Sequence, residues 1–230
     1  MSHGSVDPNW TRLLALSVHE LRTPLSVVLG YVRMLLTDRA GPLSEQQRKL
    51  LEEASRSCAR LSAVIAEMSE LSQLEEGKLG FNRKRVDLRA LLADAVASLP
   101  QLPDREIRIA VQMGDGSAPI EGDAARLKTA FAAVVHALRR ELVTADELRL
   151  HERTRRDGSH SASWIAIAPP DRIASVDNSP ADALTTFNEW RGGCGLSLAV
   201  ARRVINAHGG EIWSPRDDPK AGAVVRIPHA

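Results

Sequence analysis

Apolar residues in the first third of the chain recur at alternating intervals of three and four, the pattern of a helix that packs along one seam. Asp7 and Pro8 precede the first seam as a helix N-cap and a first helical residue, and Gly41 and Pro42 follow it as helix breakers. We therefore predict one long helix that starts at Pro8. Its seam consists of Leu14, Val18, Leu21, Leu25, Val28, Val32 and Leu35.

A second helix with the same kind of seam follows the break. Ser44 and Gln47 have the spacing of a capping box at its start. The seam consists of Leu51, Ala54, Cys58, Leu61, Ile65 and Met68. A lone hairpin cannot bury two seams, whereas a second copy of the chain can bury them in a four-helix bundle. We therefore predict a homodimer through residues 8–75, with Cys58 as a small buried hydrophobic residue.

The rest of the chain mixes strands and helices without regular alternation, which predicts an α+β sandwich, a sheet with helices on one face. Predicted helices follow Asp87, Asp123, Pro180 and the glycines at 192–195. Predicted strands cover 106–111, both arms of a hairpin that turns at Asp157–Gly158, "EIWS" and "AVVRIP". The fold prediction is thus an all-α hairpin domain, residues 1–76, followed by an α+β sandwich domain, residues 77–230.

Composition excludes several classes of protein. The 230 residues carry a net charge of +1, so no global field favours nucleic acid, and the basic stretch 151–158 is interpreted as a solvated hairpin rather than a phosphate-binding patch. Two cysteines give neither a disulfide framework nor a metal site. Without an apolar run of about 18 residues or a signal peptide, we expect a cytoplasmic protein with no membrane or nucleic-acid partner, and we assign His3 to a terminal tail.

The stretch "HELRTPL", residues 19–25, carries a candidate reaction centre. His19 lies between two seam positions, so its side chain is expected to point outward. Glu20 is adjacent and can accept a proton, Thr23 follows one turn later on the same face, and Pro24 removes a backbone hydrogen bond and can bend the helix. A neutral imidazole nitrogen is a good nucleophile toward phosphorus, and a neighbouring carboxylate can act as its base.

This stretch resembles the H-box of the dimerisation and histidine-phosphotransfer domain of two-component sensor histidine kinases. The resemblance implies that His19 is the phosphoacceptor, Glu20 the general base, and Thr23 the residue that orients water when a response regulator is dephosphorylated. It continues beyond the hairpin. "LSQLEEGKLGFNRKRVDLRALLADAV" looks like the junction to the family's ATP-binding domain, "EGDAARLKTAF" like the approach to its N-box, and "GCGLSLAVARRVINAHGGEIWS" like its last glycine box.

The nucleotide-binding half departs from this family pattern. The two asparagines of the N-box fall on Ala133 and Ala137, and alanine offers no oxygen to the magnesium ion that the second asparagine normally holds. His136 is interpreted as a partly exposed helix residue. Where the family has Asp-x-Gly-x-Gly, the chain has residues 169–173, with Asp171 expected only in a loop or cap role.

Gly193 and Gly195 remain from the last glycine box. A glycine pair before a helix can cradle a phosphate or can form a turn that lets the helix pack against the sheet. With the partner motifs gone, the structural interpretation is favoured over nucleotide binding. Cys194 could have a low thiol pKa at a helix start, but an inert cysteine is the favoured interpretation.

Three functions are compatible with these residues. The favoured one is a phosphotransfer protein that exchanges a phosphoryl group with a response-regulator receiver domain, takes it from that domain or from an upstream histidine kinase, and needs no cofactor. The hairpin starts near residue 8, which leaves no room for an input domain and suits an intermediate in a phosphorelay. The alternatives are an active cytosolic kinase that uses ATP and magnesium at an atypical site, and a scaffold or phosphatase that acts through Thr23.

Overall fold

The computed structural model describes residues 8–103, 105–157 and 160–230, and the chain divides into two units between Leu79 and Gly80. The first unit is an antiparallel helical hairpin. Its helices are α1, Pro8–Leu36, and α2, Glu45–Glu75, as the seams predicted. Helix α1 continues through Pro24. The predicted cap Asp7 and the predicted tail residue His3 lie outside the described residues.

Helix α2 starts at the predicted capping box. The hydroxyl of Ser44 accepts a hydrogen bond from the backbone N–H of Gln47 at 3.2 Å, and the side chain of Gln47 accepts one from the N–H of Ser44 at 2.9 Å. Each bond satisfies a backbone donor that has no partner within the helix. Arg48 fixes the connection between the helices, because its guanidinium contacts Asp38 at 2.9 Å and the carbonyl of Leu36 at 3.1 Å.

The hairpin leaves much of its apolar surface uncovered. Leu14, Val18 and Ile65 are buried between the helices, but Leu21 is 43% exposed and Leu61 is 46% exposed. Cys58 is only half-buried in the single chain. Further exposed apolar residues on the two helices are Leu13, Leu16, Val27, Val28, Tyr31, Met34, Leu50 and Val64. Exposed apolar surface of this extent indicates an interaction surface.

Helix α1 meets a length-and-composition criterion for a membrane span, although the sequence analysis found no apolar run of about 18 residues. The segment Asn9–Leu36 is long and apolar enough to cross a membrane by length and composition, because it contains an 18-residue window with no more than two charged residues. The cytoplasmic location therefore stays a prediction.

The second unit combines a sheet with a layer of helices. In chain order its elements are β1 Lys84–Asp87, α3 Leu88–Ala97, β2 Arg108–Met113, β3 Pro119–Gly122, α4 Ala124–Glu141, β4 Glu147–Asp157, β5 His160–Ala168, α5 Ile173–Asp177, β6 Leu184–Thr186, α6 Ser197–Ala207, β7 Glu211–Pro215 and β8 Ala223–Pro228. The main sheet has the order β2-β4-β5-β8-β7-β6; the β2–β4 pair is parallel and the other pairs are antiparallel. Strands β1 and β3 form a separate antiparallel pair.

Helices α3, α4 and α6 form the layer on one face of the sheet. The predicted caps position two of them: Asp87 accepts a hydrogen bond from the N–H of Arg89 at 3.0 Å, and Asp123 accepts one from the N–H of Arg126 at 3.2 Å. The strand residues that face this layer are the fully buried Ile165, Ile167, Val225 and Ile227. We call this side the helix face and the opposite side the outer face.

Helix α5 lies on the outer face, so the prediction that all helices share one face is wrong. Successive residues of a strand point to opposite sides, and Ala166 therefore points away from Ile165. Ile173 and Val176 of α5 pack against Ala166 and the neighbouring Val224. The sequence prediction missed this element because a five-residue helix is too short to show helical periodicity.

The predicted helix after Pro180 is also wrong. Only one 3₁₀ turn, Ala181–Ala183, is present, and strand β6 follows directly. Thr185 pairs with Ser214 of β7 in an antiparallel ladder. β-branched threonines fit a pleated strand better than a helix, so the ladder determines the structure of this segment.

His208 is a buried histidine that links α6 to α4. Its Nε2 accepts a hydrogen bond from the N–H of Asp123 at 3.0 Å, and its Nδ1 donates one to the carbonyl of Val204 at 2.7 Å. Burial lowers the pKa of His208, and the charges of Arg83 and Arg126 lower it further, against the raising effects of the Val204 bond and Asp123. The structure therefore holds this imidazole neutral.

The first prediction concerns assembly. Replacing Leu21 and Leu61 with glutamate should convert a homodimer into monomers, because a charge in an apolar interface loses its hydration. Sedimentation velocity at micromolar concentration measures the change. Ser57→Glu, an added charge at an exposed polar position of α2, is the control and should stay dimeric. A monomeric wild type would contradict the prediction.

The second prediction concerns pH. In the unfolded chain His208 binds a proton below about pH 6.5, whereas in the folded chain its lowered pKa keeps it neutral to lower pH. The stability contributed by neutral His208 is therefore complete above about pH 6.5 and is lost as the pH falls. The free energy of unfolding should decrease between about pH 7.5 and about pH 5.5, and His208→Gln should flatten this dependence. His136 and His229, whose pKa values are also lowered, mainly by burial, should leave a remainder. An unchanged slope in His208→Gln would refute the assignment.

Candidate functional site

His19 projects from α1 into solvent, with 79% of its side chain exposed. Its Nδ1 lies 3.4 Å from the carboxylate oxygen Oε1 of Glu20, whose side chain is 70% exposed. Within the described part of the chain, no side chain or backbone group contacts the other ring nitrogen, Nε2. The helix thus presents one nitrogen to a carboxylate and leaves the other open to a partner.

Thr23 and Pro24 lie on the helical turn after His19. Thr23 is four residues from His19, so the two side chains lie on the same side of the helix, and Thr23 is also exposed. Pro24 has no N–H, so the carbonyl of Glu20 lacks its usual helical donor. The structure therefore brings together all three residues selected in the hairpin, His19, Glu20 and Thr23, on one exposed surface.

This arrangement determines which ring nitrogen is the nucleophile. If Nδ1 carries the proton that faces Glu20, the neutral imidazole has its lone pair on Nε2. A lone pair that faces solvent can attack phosphorus, and the positive charge that develops on the ring is stabilised by the carboxylate at Nδ1. The geometry favours Nε2 as the atom that accepts a phosphoryl group.

The two alanines at the predicted N-box positions lie on α4. Ala133 is half-buried, and Ala137 is fully buried. Gly192 covers Ala137 so closely that a Cβ atom added to Gly192 would lie 2.9 Å from the Cβ of Ala137 and 3.0 Å from its carbonyl oxygen. Backbone therefore fills the position next to Ala137, and no ligand atom for a metal ion is available from either alanine.

Gly192 belongs to Phe187–Gly193, an irregular segment with turns at 189–190 and 192–193 that we call the strap. Phe187, Glu189 and Arg191 point inward and are buried, whereas Trp190 is 70% exposed. The strap was not predicted, and the hydrophobicity of "FNEWR" does not indicate it, because the exposed residue is Trp190 and the buried Glu189 and Arg191 are charged.

Three ion pairs hold the strap against the helix layer. Arg191 Nε donates to Glu141 Oε2 at the end of α4 at 2.8 Å, and Arg191 Nη1 donates to the carbonyl of Pro219 at 2.7 Å. Glu189 accepts a hydrogen bond from Arg202 of α6 at 3.2 Å and also pairs with Arg203. Because the charged ends are buried, their attraction is screened less than at the surface. The strap is thereby attached to both α4 and α6.

Gly193 and Gly195 lie at the start of α6, as predicted, and both have positive φ, +58° and +61°. The carbonyl of Gly193 accepts a hydrogen bond from Arg140 Nη1 at 3.3 Å. The thiol of Cys194 donates to the carbonyl of Gly192 at 3.4 Å. These contacts place the glycines in a turn that leads into α6, and the choice between a structural role and phosphate binding stays a prediction.

The segment that replaces the family's Asp-x-Gly-x-Gly motif turns toward the outer face. The carbonyl of Pro169 accepts hydrogen bonds from the N–H groups of Arg172 and Ile173 at 3.0 and 2.9 Å, and this turn leads into α5. Asp171 is an exposed turn residue, the first of the two roles predicted for it, and Arg172 occupies the N-cap position without a side-chain hydrogen bond. Ile173 then packs away from the helix layer.

His136 is half-buried, as expected for a helix residue next to Ala137. Its Nδ1 lies 3.1 Å from Arg139 Nη2. Burial lowers the pKa of His136, and the charges of Arg139 and Arg140 lower it further. The ring is therefore a neutral partner of Arg139.

Comparison with known proteins gives a coherent result for the hairpin. Residues 9–77 match the model of the His Kinase A (phospho-acceptor) domain. The chain is 26% identical over 207 residues to the circadian input-output histidine kinase CikA of Synechococcus elongatus. This alignment covers 86% of the chain and 27% of CikA. It is 25% identical over 233 residues to the cell-division control histidine kinase PdhS of Brucella ovis. This alignment covers 94% of the chain and 22% of PdhS.

A solved structure supports the fold of the whole chain. Full-length ShkA, crystallised in complex with AMPPNP, superposes with a TM-score of 0.68 at 23% identity and covers 95% of this chain and 45% of that one. At this identity the likeness shows the fold alone. The chain spans about a quarter of the length of the curated relatives, 27% of CikA and 22% of PdhS.

The third prediction tests the packing of the strap. Gly192→Ala should destabilise the second unit by about 1–2 kcal/mol for the left-handed backbone plus about 1–3 kcal/mol for overpacking against Ala137. Gly116→Ala is the matched control, because Gly116 has a similar φ, +75° against +70°, but an added Cβ would meet nothing within 4 Å. Urea unfolding measures both. Equal losses in the two variants would contradict the close approach of Gly192 to α4.

Proposed function

We propose that this chain, which belongs to the two-component sensor histidine kinase family, accepts a phosphoryl group on His19 and exchanges it with an aspartate of a response-regulator receiver domain without using ATP. The observation that carries the proposal is a contrast between the two units. The His19 surface has every group that the transfer needs, whereas the strap covers the helix position where a nucleotide would require a metal ligand. Members of this family dimerise and interact with response regulators, and we propose a homodimer in the cytoplasm.

The transfer needs only the groups on α1 and the incoming phosphoaspartate. The lone pair of His19 Nε2 attacks phosphorus, a P–N bond forms, and the bond between phosphorus and the aspartate oxygen breaks. The aspartate leaves as a carboxylate. The proton on Nδ1 stays on the ring, where Glu20 stabilises the positive charge, or passes to Glu20. Return of the phosphoryl group to a second receiver follows the same steps in reverse.

The residues at the expected nucleotide site do not fit magnesium and ATP as cofactors. Magnesium requires oxygen ligands in near-octahedral geometry, and Ala133 and Ala137 supply none. Pro169 follows β5 at the position where the resemblance predicts an aspartate that binds adenine. A hydrogen bond to a charged group such as that aspartate contributes about 1.5–3 kcal/mol to binding. Loss of this hydrogen bond alone would weaken the affinity for ATP roughly ten- to a hundredfold. We therefore assign no step to ATP.

A second candidate activity is dephosphorylation of the response regulator through Thr23. The favouring observation is that the Thr23 hydroxyl is exposed one helical turn from His19, where it can hold a water molecule near a docked phosphoaspartate. This activity requires no attack by His19, so Thr23→Ala should affect it selectively.

The fourth prediction separates transfer from kinase activity. We expect labelled phosphate on the wild-type chain after mixing with receiver domains phosphorylated by labelled acetyl phosphate, and none after incubation with labelled ATP and magnesium. His19→Gln should abolish acceptance because no nucleophile remains. Glu20→Gln should slow it roughly a hundredfold or more, as expected for loss of a general base.

The control variant is His151→Gln, which removes a histidine from the second unit and should accept phosphate at the wild-type rate. Sedimentation of His19→Gln should show the wild-type assembly state. Acid-labile label on His19→Gln would show that another histidine is the acceptor. Label on His19 from ATP would reject ATP-independent transfer and support an active kinase with an atypical nucleotide site.

A further inference from the structure

The outer face of the sheet contains a cavity of about 470 Å³ near the end of the β4–β5 hairpin. This volume is in the range of about 300–1,000 Å³ typical of small-molecule sites. Three strands, β5, β8 and β7, form its floor, and β4 contributes one wall. Its lining residues include Arg155, Arg156, Trp164, Trp213 and Arg226.

Two tryptophans that stack on each other line this cavity. The rings of Trp164 and Trp213 are nearly parallel, with 13° between their planes and 5.7 Å between their centroids. They come from β5 and β7, which flank β8, so the rings meet above β8. Both are only partly buried, against the apolar cluster beneath α5. Aromatic rings held in this way provide a stacking surface for another planar group.

Arginines supply the positive charge of this cavity. Three arginines line it, one of which, Arg155, is also paired with Asp177, and among the described lining residues Glu211 is the one carboxylate. Arg226 lies between Trp164 and Glu211 as their cross-strand partner. The guanidinium carbon of Arg155 lies 5.0 Å from the ring centroid of Trp164, so the cation and the aromatic wall are adjacent.

Part of the basic stretch 151–158 therefore differs from the solvated hairpin that the sequence predicted. Arg153 contacts the buried carboxylate of Asp177 at 2.6 Å, and Arg155 donates to the carbonyl of the same residue. Asp177 comes from α5, the helix that sequence periodicity did not show. These contacts order the arginines against the sheet, which reduces the side-chain entropy lost when they bind a ligand.

We infer that this cavity is a binding site for a planar aromatic anion, a heteroaromatic ring system that carries a phosphate or carboxylate. The ring would extend the indole stack on the side of Trp213 that faces away from Trp164, because Trp164 is already contacted by Trp213 and Arg155, and the anionic group would pair with the guanidinium of Arg226. Stacking alone would accept neutral rings, and arginine alone would accept inorganic anions, so the combination selects molecules that have both features.

This site is separate from the covered position at Ala137. Ala137 and Gly192 contact each other in the helix layer, whereas Trp164 points to the outer face together with Ala166. A ligand here would therefore bind to the second unit without displacing the strap. The site would give the unit a ligand-binding function that does not depend on ATP.

Flavin mononucleotide is a suitable probe, with riboflavin as its neutral counterpart and inorganic phosphate as the anion without a ring. The chain has four tryptophans, so the variant Trp10→Phe/Trp190→Phe retains only Trp164 and Trp213 as reporters. Quenching of their fluorescence on titration, corrected for flavin absorption, gives a dissociation constant. Arg226→Gln is tested in this background, and Arg149→Gln, on the same face of β4 outside the cavity, is the matched control.

The fifth prediction is saturable quenching by flavin mononucleotide with at least about tenfold weaker binding of riboflavin, as expected for loss of a charge-assisted hydrogen bond. Arg226→Gln should weaken flavin mononucleotide about tenfold and leave riboflavin unchanged, which separates ligand contact from a general effect on folding. Arg149→Gln should match the background protein.

Three outcomes would overturn the inference. The first is quenching that rises linearly without saturation. The second is equal affinity for flavin mononucleotide and riboflavin. The third is an Arg226→Gln variant that loses both ligands equally, while its circular dichroism and thermal unfolding match those of the background protein.

Discussion

The close approach of Gly192 to Ala137 is the contact on which the organisation of the second unit depends. Neither residue has a side chain larger than a methyl group, and this is why backbone can lie directly on α4. The ion pairs from Glu189 and Arg191 then attach the strap to α6 and α4. A larger residue at either position would separate the strap from the helix. One pair of small residues thus determines whether the helix layer is closed or open at this position.

In the second unit the contact described above is buried, whereas in the hairpin the functional groups must be exposed to solvent. His19 can receive a phosphoryl group from a large partner only if Nε2 faces solvent, and the seam ensures this by orienting Val18 toward α2. The same helix leaves Leu21 exposed beside the reactive histidine. Apolar surface for assembly and polar surface for transfer are therefore interleaved along α1, and dimerisation can cover the first while it leaves the second accessible.

Sequence patterns predicted those features that depend on neighbouring residues. The capping box at Ser44, the caps Asp87 and Asp123 and the outward direction of His19 follow from spacings of one to four residues. Periodicity does not specify which face of a sheet a short segment will cover, so the position of α5 was missed. The partners of Arg191 include Glu141, 50 residues away, and no local pattern indicates a pairing over that distance.

The same distinction explains why the outer-face cavity was not evident in the sequence. Trp164 and Trp213 are almost fifty residues apart, and only the strand order β5-β8-β7 brings their rings together above β8. Beyond the cluster beneath α5, the sheet can expose such groups because its helix face is closely packed, and there Glu152 is fully buried and accepts hydrogen bonds from Arg89 and Ser163, both at 2.6 Å. Removing one partner of such a buried pair typically costs about 3–5 kcal/mol, whereas exposed residues contribute little. The outer face is therefore the side on which substitutions can create a binding site without loss of the fold.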